Sequence, residues 1–373
     1  MNLRDFKLEV FFGKYEFTAP YLLTQSDCES MSVAELLAYE PGSEQKLMDN
    51  WLGYTEVSGN PELKSLLASS LYKTMTHEDI VVYTGAQEAI FAYMNVLLEP
   101  NDHVISMFPT YQSLYEVGLA KGLEVSKWSL TQADGKWHFD FDELRSLIKP
   151  NTKLIVVNTP NNPTGYTFSE SQIKELCQIA SEKGIYIFAD EVYKGLDLDG
   201  VKKPWIADIY DKATSLGVMS KAYGLAGLRV GWLASKDKDL IEKVIKYKHY
   251  MSICTSGPSE FLSIVALNHG DKLLERNMKI IRENLALANA FFAKYDNLFE
   301  NNPPQCGPIA FHKLKLNKDM DAFCEDLVQK SGVLLLPATI YEYPDTYFRM
   351  GYGRKEFAVP LQKFEEYIIS QFK

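Results

Sequence analysis

The sequence predicts an α/β fold with a mainly parallel sheet sandwiched by helices, followed by a smaller α+β domain. Between about residues 80 and 235, short apolar runs alternate with helical stretches. Nearly unbroken runs of this kind are typical of strands buried on both faces. From about residue 256, long helical sequence gives way to shorter mixed segments. We therefore expect an N-terminal segment at 1–40 that joins the small domain, a large domain at 41–258 and a small C-terminal domain at 259–373.

The apolar runs predict the strands of the large domain at residues 80–84, 103–108, 154–158, 185–190, 216–220 and 230–235. The helices expected between them include 88–98 and 169–183, and the second begins with the capping pair Ser169 and Gln172. In the small domain we expect helical sequence at 259–295 with a break near 268–271, a shorter segment at 309–316, strands at 333–336 and 346–352, and helices at 319–330 and 357–372. Ligands of open parallel sheets bind at the carboxyl ends of the strands, so residues there are the first candidates.

Charge and composition exclude several classes of function. There are 39 basic and 49 acidic residues, a net charge of −10, which argues against broad binding to a nucleic-acid backbone. We expect neither a transmembrane helix nor a secretory signal. Five scattered cysteines without a CxxC motif favour reduced thiols and a cytoplasmic protein. Six histidines without ligand spacing predict no metal site.

Two loops follow predicted strands. Thr84, Gly85, Ala86 and Gln87 lead from a strand into a helix, whose free N–H groups attract phosphate, and Gly85 permits close approach. An ordinary glycine turn is the alternative. The 158–165 loop ends a buried strand and presents asparagine amides, unless proline merely stiffens it.

A carboxylate and a tyrosine follow the strand at 185–190. Asp190 lies at a buried strand end, where a carboxylate is costly unless a partner such as a protonated ring nitrogen compensates it. A helix N-cap or a structural ion pair would also explain it. Tyr193 is close enough in sequence to reach the same pocket, although simple packing would suffice.

The segment from Ser220 to Arg229 carries the strongest signal. Lys221 directly follows an apolar strand, and burial lowers a lysine pKa and makes its amine a nucleophile for Schiff-base chemistry. Arg229 has the planar fork that suits a phosphate. In the C-terminal part, Arg349 lies on an alternating strand and suits a carboxylate, with Arg354 as a nearby competitor. Each residue alone would also fit an ordinary ion pair or an exposed position.

In chain order, these motifs resemble those of the pyridoxal-phosphate enzymes of the aspartate aminotransferase superfamily, class I/II, and within it a bacterial branch that includes capreomycidine synthase. The resemblance rests on Tyr54 and on residues 84–87, 108–111, 162–165, 190–193, 220–221, 227–229 and Arg349. It implies the fold of pyridoxal-phosphate transferases of fold type I, with a seven-stranded sheet in the cofactor-binding domain. It also implies pyridoxal 5'-phosphate as cofactor, amino-acid and 2-oxo-acid substrates, and a homodimer with shared active sites.

The resemblance assigns a role to each candidate. Lys221 would form the Schiff base and move the substrate proton, and Asp190 would keep the pyridine nitrogen protonated. Tyr193 and Asn162 would bond the ring's phenolic oxygen. Tyr111 would stack on the ring; Gly85, Ala86, Gln87, Ser220 and Arg229 would hold the phosphate; Tyr54 would reach the phosphate of the neighbouring subunit; and Arg349, with Asn162, would bind the substrate carboxylate.

Two departures from the family pattern concern the cofactor and the substrate. Val218 stands where many relatives have Ser or Thr for the phosphate. The segment 21–30 lacks the Gly-x-Pro that covers the substrate carboxylate. Glu16, Asp27 and Glu29, in and near this segment, are placed to face a basic amino-acid side chain or to form a solvated acidic face.

The leading hypothesis is an aminotransferase that exchanges an amino group between an L-amino acid and a 2-oxo acid. A lyase or cyclase reaction on the same scaffold is the alternative, because the cofactor supports both and the pocket selects. A third reading is the ligand-sensing domain of a transcription regulator. We disfavour it because no basic helix-turn-helix pattern precedes the sheet.

Overall fold

The computed structural model describes residues 1–133, 136–316, 318–343 and 346–372. Its helices are α1 Lys7–Tyr15, α2 Val33–Leu37, α3 Ser43–Met48, α4 Pro61–Leu71, α5 Ala86–Leu97, α6 Ser113–Ala120, α7 Phe141–Leu147, α8 Glu170–Lys183, α9 Ile206–Ile209, α10 Lys238–Lys248, α11 Gly257–Asn268, α12 Gly270–Lys294, α13 Met320–Ser331 and α14 Ala358–Phe372. Short 3₁₀ turns occupy His77–Asp79, Ala226–Leu228 and Ala338–Tyr341.

The strands are β1 Tyr21–Leu22, β2 Ile80–Tyr83, β3 His103–Phe108, β4 Glu124–Ser129, β5 Thr131–Ala133, β6 Lys136–His138, β7 Thr152–Asn158, β8 Tyr186–Asp190, β9 Ala213–Val218, β10 Gly231–Ser235, β11 Phe299–Glu300, β12 Ile309–Leu314, β13 Val333–Leu334, β14 Leu336–Pro337 and β15 Tyr347–Gly351. Seven of them form the central sheet, in the order β2-β10-β9-β8-β7-β3-β4. Strand β10 runs antiparallel to β2 and β9, and the other neighbours are parallel. The prediction of a mainly parallel sheet is therefore confirmed.

Buried strands place alternate side chains in two separate cores. On β2, Ile80 and Val82 belong to one apolar cluster, whereas Val81 and Tyr83 belong to the other. All four are fully buried. Because both faces of the sheet are covered, the strand reads as a continuous apolar run rather than as an alternating pattern.

The last third of the chain begins with α11 and α12, which meet at His269 where the sequence predicted a break. A four-stranded antiparallel sheet follows, in the order β11-β12-β15-β14. Near the start of the chain, β1 pairs in parallel with β13, which places the residues after β1 beside this second sheet. In the described part of the chain, no helix is both long enough and apolar enough to cross a bilayer.

Candidate active site

The carboxyl ends of three central strands open into one cavity of about 340 Å³. Asn158 ends β7 and pairs in register with Asp190, which ends β8. Next to them, β9 ends at Val218 and leads to Ser220 and Lys221. Three further parts of the chain complete the walls. They are α1 with the residue after it (Leu8, Glu9, Phe12 and Glu16), the segment after β1 (Gln25, Ser26 and Asp27) and the first turns of α5 (Ala86, Gln87 and Ile90). The other lining residues are Tyr111, Asn162, Val192, Tyr193, Ala226 and Arg229.

Lys221 is held by the segment that follows β1. Its Nζ donates a hydrogen bond of 2.9 Å to Ser26 Oγ, and its backbone carbonyl accepts one of 3.3 Å from the Cys28 N–H. Burial lowers the pKa of Lys221, an effect that the nearby Asp27 carboxylate partly opposes. The amine is therefore easier to deprotonate than a surface lysine, as a nucleophile requires.

Asp190 is a buried carboxylate with little compensation. It is 4% exposed, and its Oδ1 accepts a hydrogen bond of 3.3 Å from the Val192 N–H. Within the described ranges it has no ion pair. Burial raises the pKa of Asp190 to about 7. A protonated nitrogen in the cavity would supply the missing partner and return this carboxyl to its ionised form.

A second part of the cavity suits an anion. Helix α5 begins at Ala86 after Gly85, whose φ of +83° is a left-handed conformation that favours glycine. A Cβ on Gly85 would lie only 2.5 Å from Arg229 Nη2, so glycine lets the guanidinium approach this helix start. Gln87 and Ser220 line the same wall. Helix N–H groups and a guanidinium together form a phosphate-binding arrangement.

Asn162 connects the cavity to a buried arginine. Its Oδ1 accepts hydrogen bonds from Tyr341 OH at 2.7 Å and from Arg349 Nη1 at 3.0 Å. Arg349 is fully buried, its Nη2 donates to the Thr24 carbonyl at 2.6 Å, and its Nη1 also donates to Tyr341 OH. Its Nε has no partner among the residues that the structure places. The guanidinium thus lies behind Asn162, outside the cavity wall.

The structure brings together all but three of the site residues predicted from the sequence. Tyr111 and Tyr193 line the cavity, and burial raises the pKa of both phenols. Gly85 lies just behind the wall beside Arg229, and Arg349 lies behind Asn162. Tyr54 is 84% exposed and is not part of this cavity.

Sequence reasoning missed much of the wall contributed by α1. Glu9 and Phe12 of α1 line the cavity, but no ligand motif marks their segment. Glu16 and Asp27 also line it, as considered above, whereas Glu29 lies outside and accepts a hydrogen bond from the Lys355 N–H. Tyr341 was missed as well, because a tyrosine in a 3₁₀ turn resembles any packed aromatic residue.

Known proteins share the fold of this chain and part of its sequence. A family model described as aminotransferase class I and II matches residues 21–357. Capreomycidine synthase of Streptomyces vinaceus is 27% identical over 295 residues, 79% of this chain and 75% of that protein. An aspartate aminotransferase of Bacillus subtilis is 28% identical over 334 residues, 84% and 81% of the two chains. The crystal structure of a PLP-dependent aminotransferase from Streptococcus suis superimposes with a TM-score of 0.93 at 33% identity, covering all of both chains.

Proposed function

Because the chain belongs to the aminotransferase class I and II family, we propose that it exchanges an amino group between an L-amino acid and a 2-oxo acid, with Lys221 as the Schiff-base lysine. One observation carries the proposal. The Lys221 amine, the weakly compensated Asp190 carboxylate and the wall at Arg229 that suits an anion line a single cavity at the carboxyl ends of the central strands.

The cofactor is pyridoxal phosphate, and the residues present fit it. When bound, it supplies an aldehyde that condenses with amines and a ring that withdraws electrons from the substrate α-carbon. Asp190 would accept a hydrogen bond from its protonated ring nitrogen, and burial, which raises the pKa of this carboxyl to about 7, supports a cationic partner there. The start of α5 with Ser220 and Arg229 suits its phosphate.

The side chains of the cavity would transfer the proton and position the cofactor and the substrate. Lys221 Nζ, with its lowered pKa, accepts and returns the proton of the substrate α-carbon. Tyr193 OH and Asn162 would hold the polar edge of the ring, and Tyr111 would cover one of its faces. Asn162 Oδ1 is itself fixed by two donors, so its position does not depend on substrate. Arg349 attracts the substrate carboxylate towards the Asn162 side of the cavity.

A half-reaction without any oxo acid tests the proposal. The purified holoenzyme is mixed with single amino acids, and the cofactor is followed by visible absorption and identified by mass spectrometry after release. We expect at least one amino acid to convert the cofactor from its aldehyde form to its amine form in stoichiometric amount. If no amino acid in a complete panel does so, transamination is the wrong assignment.

A cyclase or lyase reaction is the second candidate, and the similarity to capreomycidine synthase favours it. The same experiment separates the two. Under this alternative the aldehyde form of the cofactor persists while the amino acid disappears, and ammonia or a cyclic product accumulates.

We also propose a homodimer in which Tyr54 serves the partner's site. Tyr54 lies outside its own cavity and is exposed together with its apolar neighbours Met48, Trp51 and Leu52, which are 80–83% exposed. Mixing the variants Tyr54→Ala and Lys221→Ala tests this arrangement. If sites are shared, a hybrid dimer has one intact site, formed by Lys221 of the Tyr54→Ala subunit and Tyr54 of the Lys221→Ala subunit. Each hybrid dimer should then have at most half of the activity of a wild-type dimer. If Tyr54 serves its own site, mixing restores nothing.

A further inference from the structure

We propose that the cavity selects amino acids with a cationic side chain, an ammonium or a guanidinium, received by the carboxylates of Glu9, Glu16 and Asp27. This inference rests on the proposed function, because it names the substrate class of the same site. It follows from the charges on the cavity wall, from a buried amide oxygen without a partner, and from apolar groups on the same wall.

Among the described residues, the cavity wall has more carboxylates than cations free to pair with them. Glu9, Glu16 and Asp27 line the cavity, whereas its lining cations are Lys221 and Arg229, both of which would hold the cofactor. Asp27 forms an ion pair of 2.9 Å with Arg354. Within the described ranges, the Glu9 carboxylate accepts one hydrogen bond, a long one of 3.4 Å from Tyr111 OH.

Glu16 is the carboxylate with the least compensation. Among the residues that the structure places, its side chain forms no hydrogen bond and no ion pair, although the charges of Arg354 and Lys221 partly offset those of its acidic neighbours. Partial burial, followed by the charges of Asp27 and Glu9, raises the pKa of Glu16. A cation between these groups would replace mutual repulsion by attraction, and in a partly buried site this effect is larger than at the surface.

Gln25 provides an independent observation that points to a donor ligand. It lines the same cavity and is only 7% exposed. Its Oε1 is buried and has no hydrogen-bond partner within the described residues. A buried acceptor left unpaired is costly, and ammonium and guanidinium groups carry three and five N–H donors. A carboxylate side chain carries none.

The stem of such a side chain also has a surface to contact. Leu8 and Phe12 present apolar groups on the same side of the cavity as Glu9 and Glu16, because all four belong to α1 or follow it directly. The methylene groups of lysine or arginine pack on surfaces of this kind while the charged end reaches polar groups. An aspartate or glutamate side chain would instead meet the carboxylates.

Binding of non-reacting analogues to the holoenzyme tests the inference without turnover. Argininic acid carries a hydroxyl in place of the α-amino group and therefore cannot condense with the cofactor. Calorimetry would compare it with 2-hydroxyhexanoate, which has a neutral side chain, and with 2-hydroxyglutarate, which has an acidic one. We expect argininic acid to bind at least about tenfold more tightly than either, the range of one charge-assisted contact.

Matched variants identify the groups responsible. We expect Glu16→Gln and Glu9→Gln each to weaken binding of argininic acid several-fold and to leave 2-hydroxyhexanoate unchanged. Glu29→Gln is the control, because it removes an equal charge from a nearby carboxylate outside the cavity. It should change the dissociation constant of neither argininic acid nor 2-hydroxyhexanoate. The proposal is overturned if the neutral or acidic analogue binds as tightly as argininic acid, or if all three variants behave alike.

The outcomes also separate this inference from the proposed function. If argininic acid binds tightly and depends on Glu16, but no amino acid converts the cofactor to its amine form, the cationic selectivity stands and transamination fails. If a neutral or acidic amino acid converts the cofactor most readily and argininic acid does not bind, transamination stands and the cationic selectivity fails.

Discussion

Lys221 Nζ donates a hydrogen bond of 2.9 Å to Ser26 Oγ, although the two residues lie 195 positions apart in the chain. Nearby, the Leu23 carbonyl accepts a hydrogen bond from the Gly351 N–H at 2.7 Å, and Thr24 O accepts one from Arg349. The segment after β1 therefore lies between the candidate lysine and the second sheet. Its position depends on both parts of the structure.

We predict that Ser26→Ala destabilises the cofactor-free protein more than the holoenzyme. The variant loses the partly buried hydrogen bond from Lys221, a loss of about 1 kcal/mol in the free energy of unfolding. In the holoenzyme, the Lys221 nitrogen is bonded to the cofactor and has fewer N–H donors. Ser26→Ala should therefore lower the stability of the holoenzyme less than that of the cofactor-free protein. By linkage, cofactor affinity should rise by a factor of about five. Denaturant unfolding with and without pyridoxal phosphate measures both quantities.

Ser30→Ala is the control for this change, because Ser30 is exposed and is in the same segment. It should affect neither stability nor cofactor affinity. An equal loss of stability in the free protein and the holoenzyme would mean that Ser26 has only a structural role.

Replacing Lys221 with alanine should abolish turnover and leave the fold intact. The change removes the hydrogen bond to Ser26 but also an amine whose charged form is disfavoured by burial, so the two effects oppose each other and we expect only a small net change in stability. Activity with any amino acid, thermal denaturation and the visible spectrum of the cofactor measure the effect. Lys243→Ala on the exposed side of α10 is the control. Retained turnover in the Lys221 variant would show that another group is the nucleophile.

Asp190 should make the cofactor-free protein less stable as the pH rises. Its folded-state pKa of about 7 lies above the ordinary value of 3.8, so the folded state binds the proton more tightly. The contribution of Asp190 to the free energy of unfolding is therefore fully present below about pH 4 and is lost as the pH rises to about 7. The stability lost over this range is roughly 4 kcal/mol at most. Above pH 7 the effect is constant.

Thermal or denaturant unfolding of wild-type protein and Asp190→Asn, both without cofactor, measures this dependence. The asparagine does not titrate, so the difference in stability between wild type and variant should fall steadily up to about pH 7 and then level off. A difference that is constant over this range would mean that Asp190 is already compensated by another group. With cofactor bound, the dependence should shrink, because the ring nitrogen favours the ionised carboxylate.

The sequence predicted the buried strands well and missed one at the edge of the sheet. Strand β3 was predicted with both ends correct, since its residues are buried on both faces. Strand β4, at the edge of the sheet, was missed because most of its residues are partly or fully exposed and no apolar run marks it. Burial on both faces produces a recognisable pattern, and an edge position does not.

The same reasoning explains which site residues were predicted. Lys221 and Asp190 follow strands directly, so their positions can be inferred from the sheet. Glu9 and Gln25 reach the cavity only because the start of the chain folds across it, a long-range contact that no local pattern encodes. Tyr341 depends in the same way on its contact with Asn162, which lies 179 positions away.

Tyr341 is predicted to be a positioning residue for Asn162 and Arg349. Its buried hydroxyl donates to Asn162 Oδ1 and accepts from Arg349 Nη1, so Tyr341→Phe leaves the guanidinium with one acceptor fewer. Hydrogen bonds to charged groups contribute about 1.5–3 kcal/mol, and we expect KM for the amino acid to rise about tenfold or more with a smaller change in kcat. Tyr343→Phe is the matched control, because its hydroxyl has no hydrogen-bond partner among the described residues. If both variants raise KM equally, or if Tyr341→Phe lowers only stability, Tyr341 does not position the substrate-binding groups.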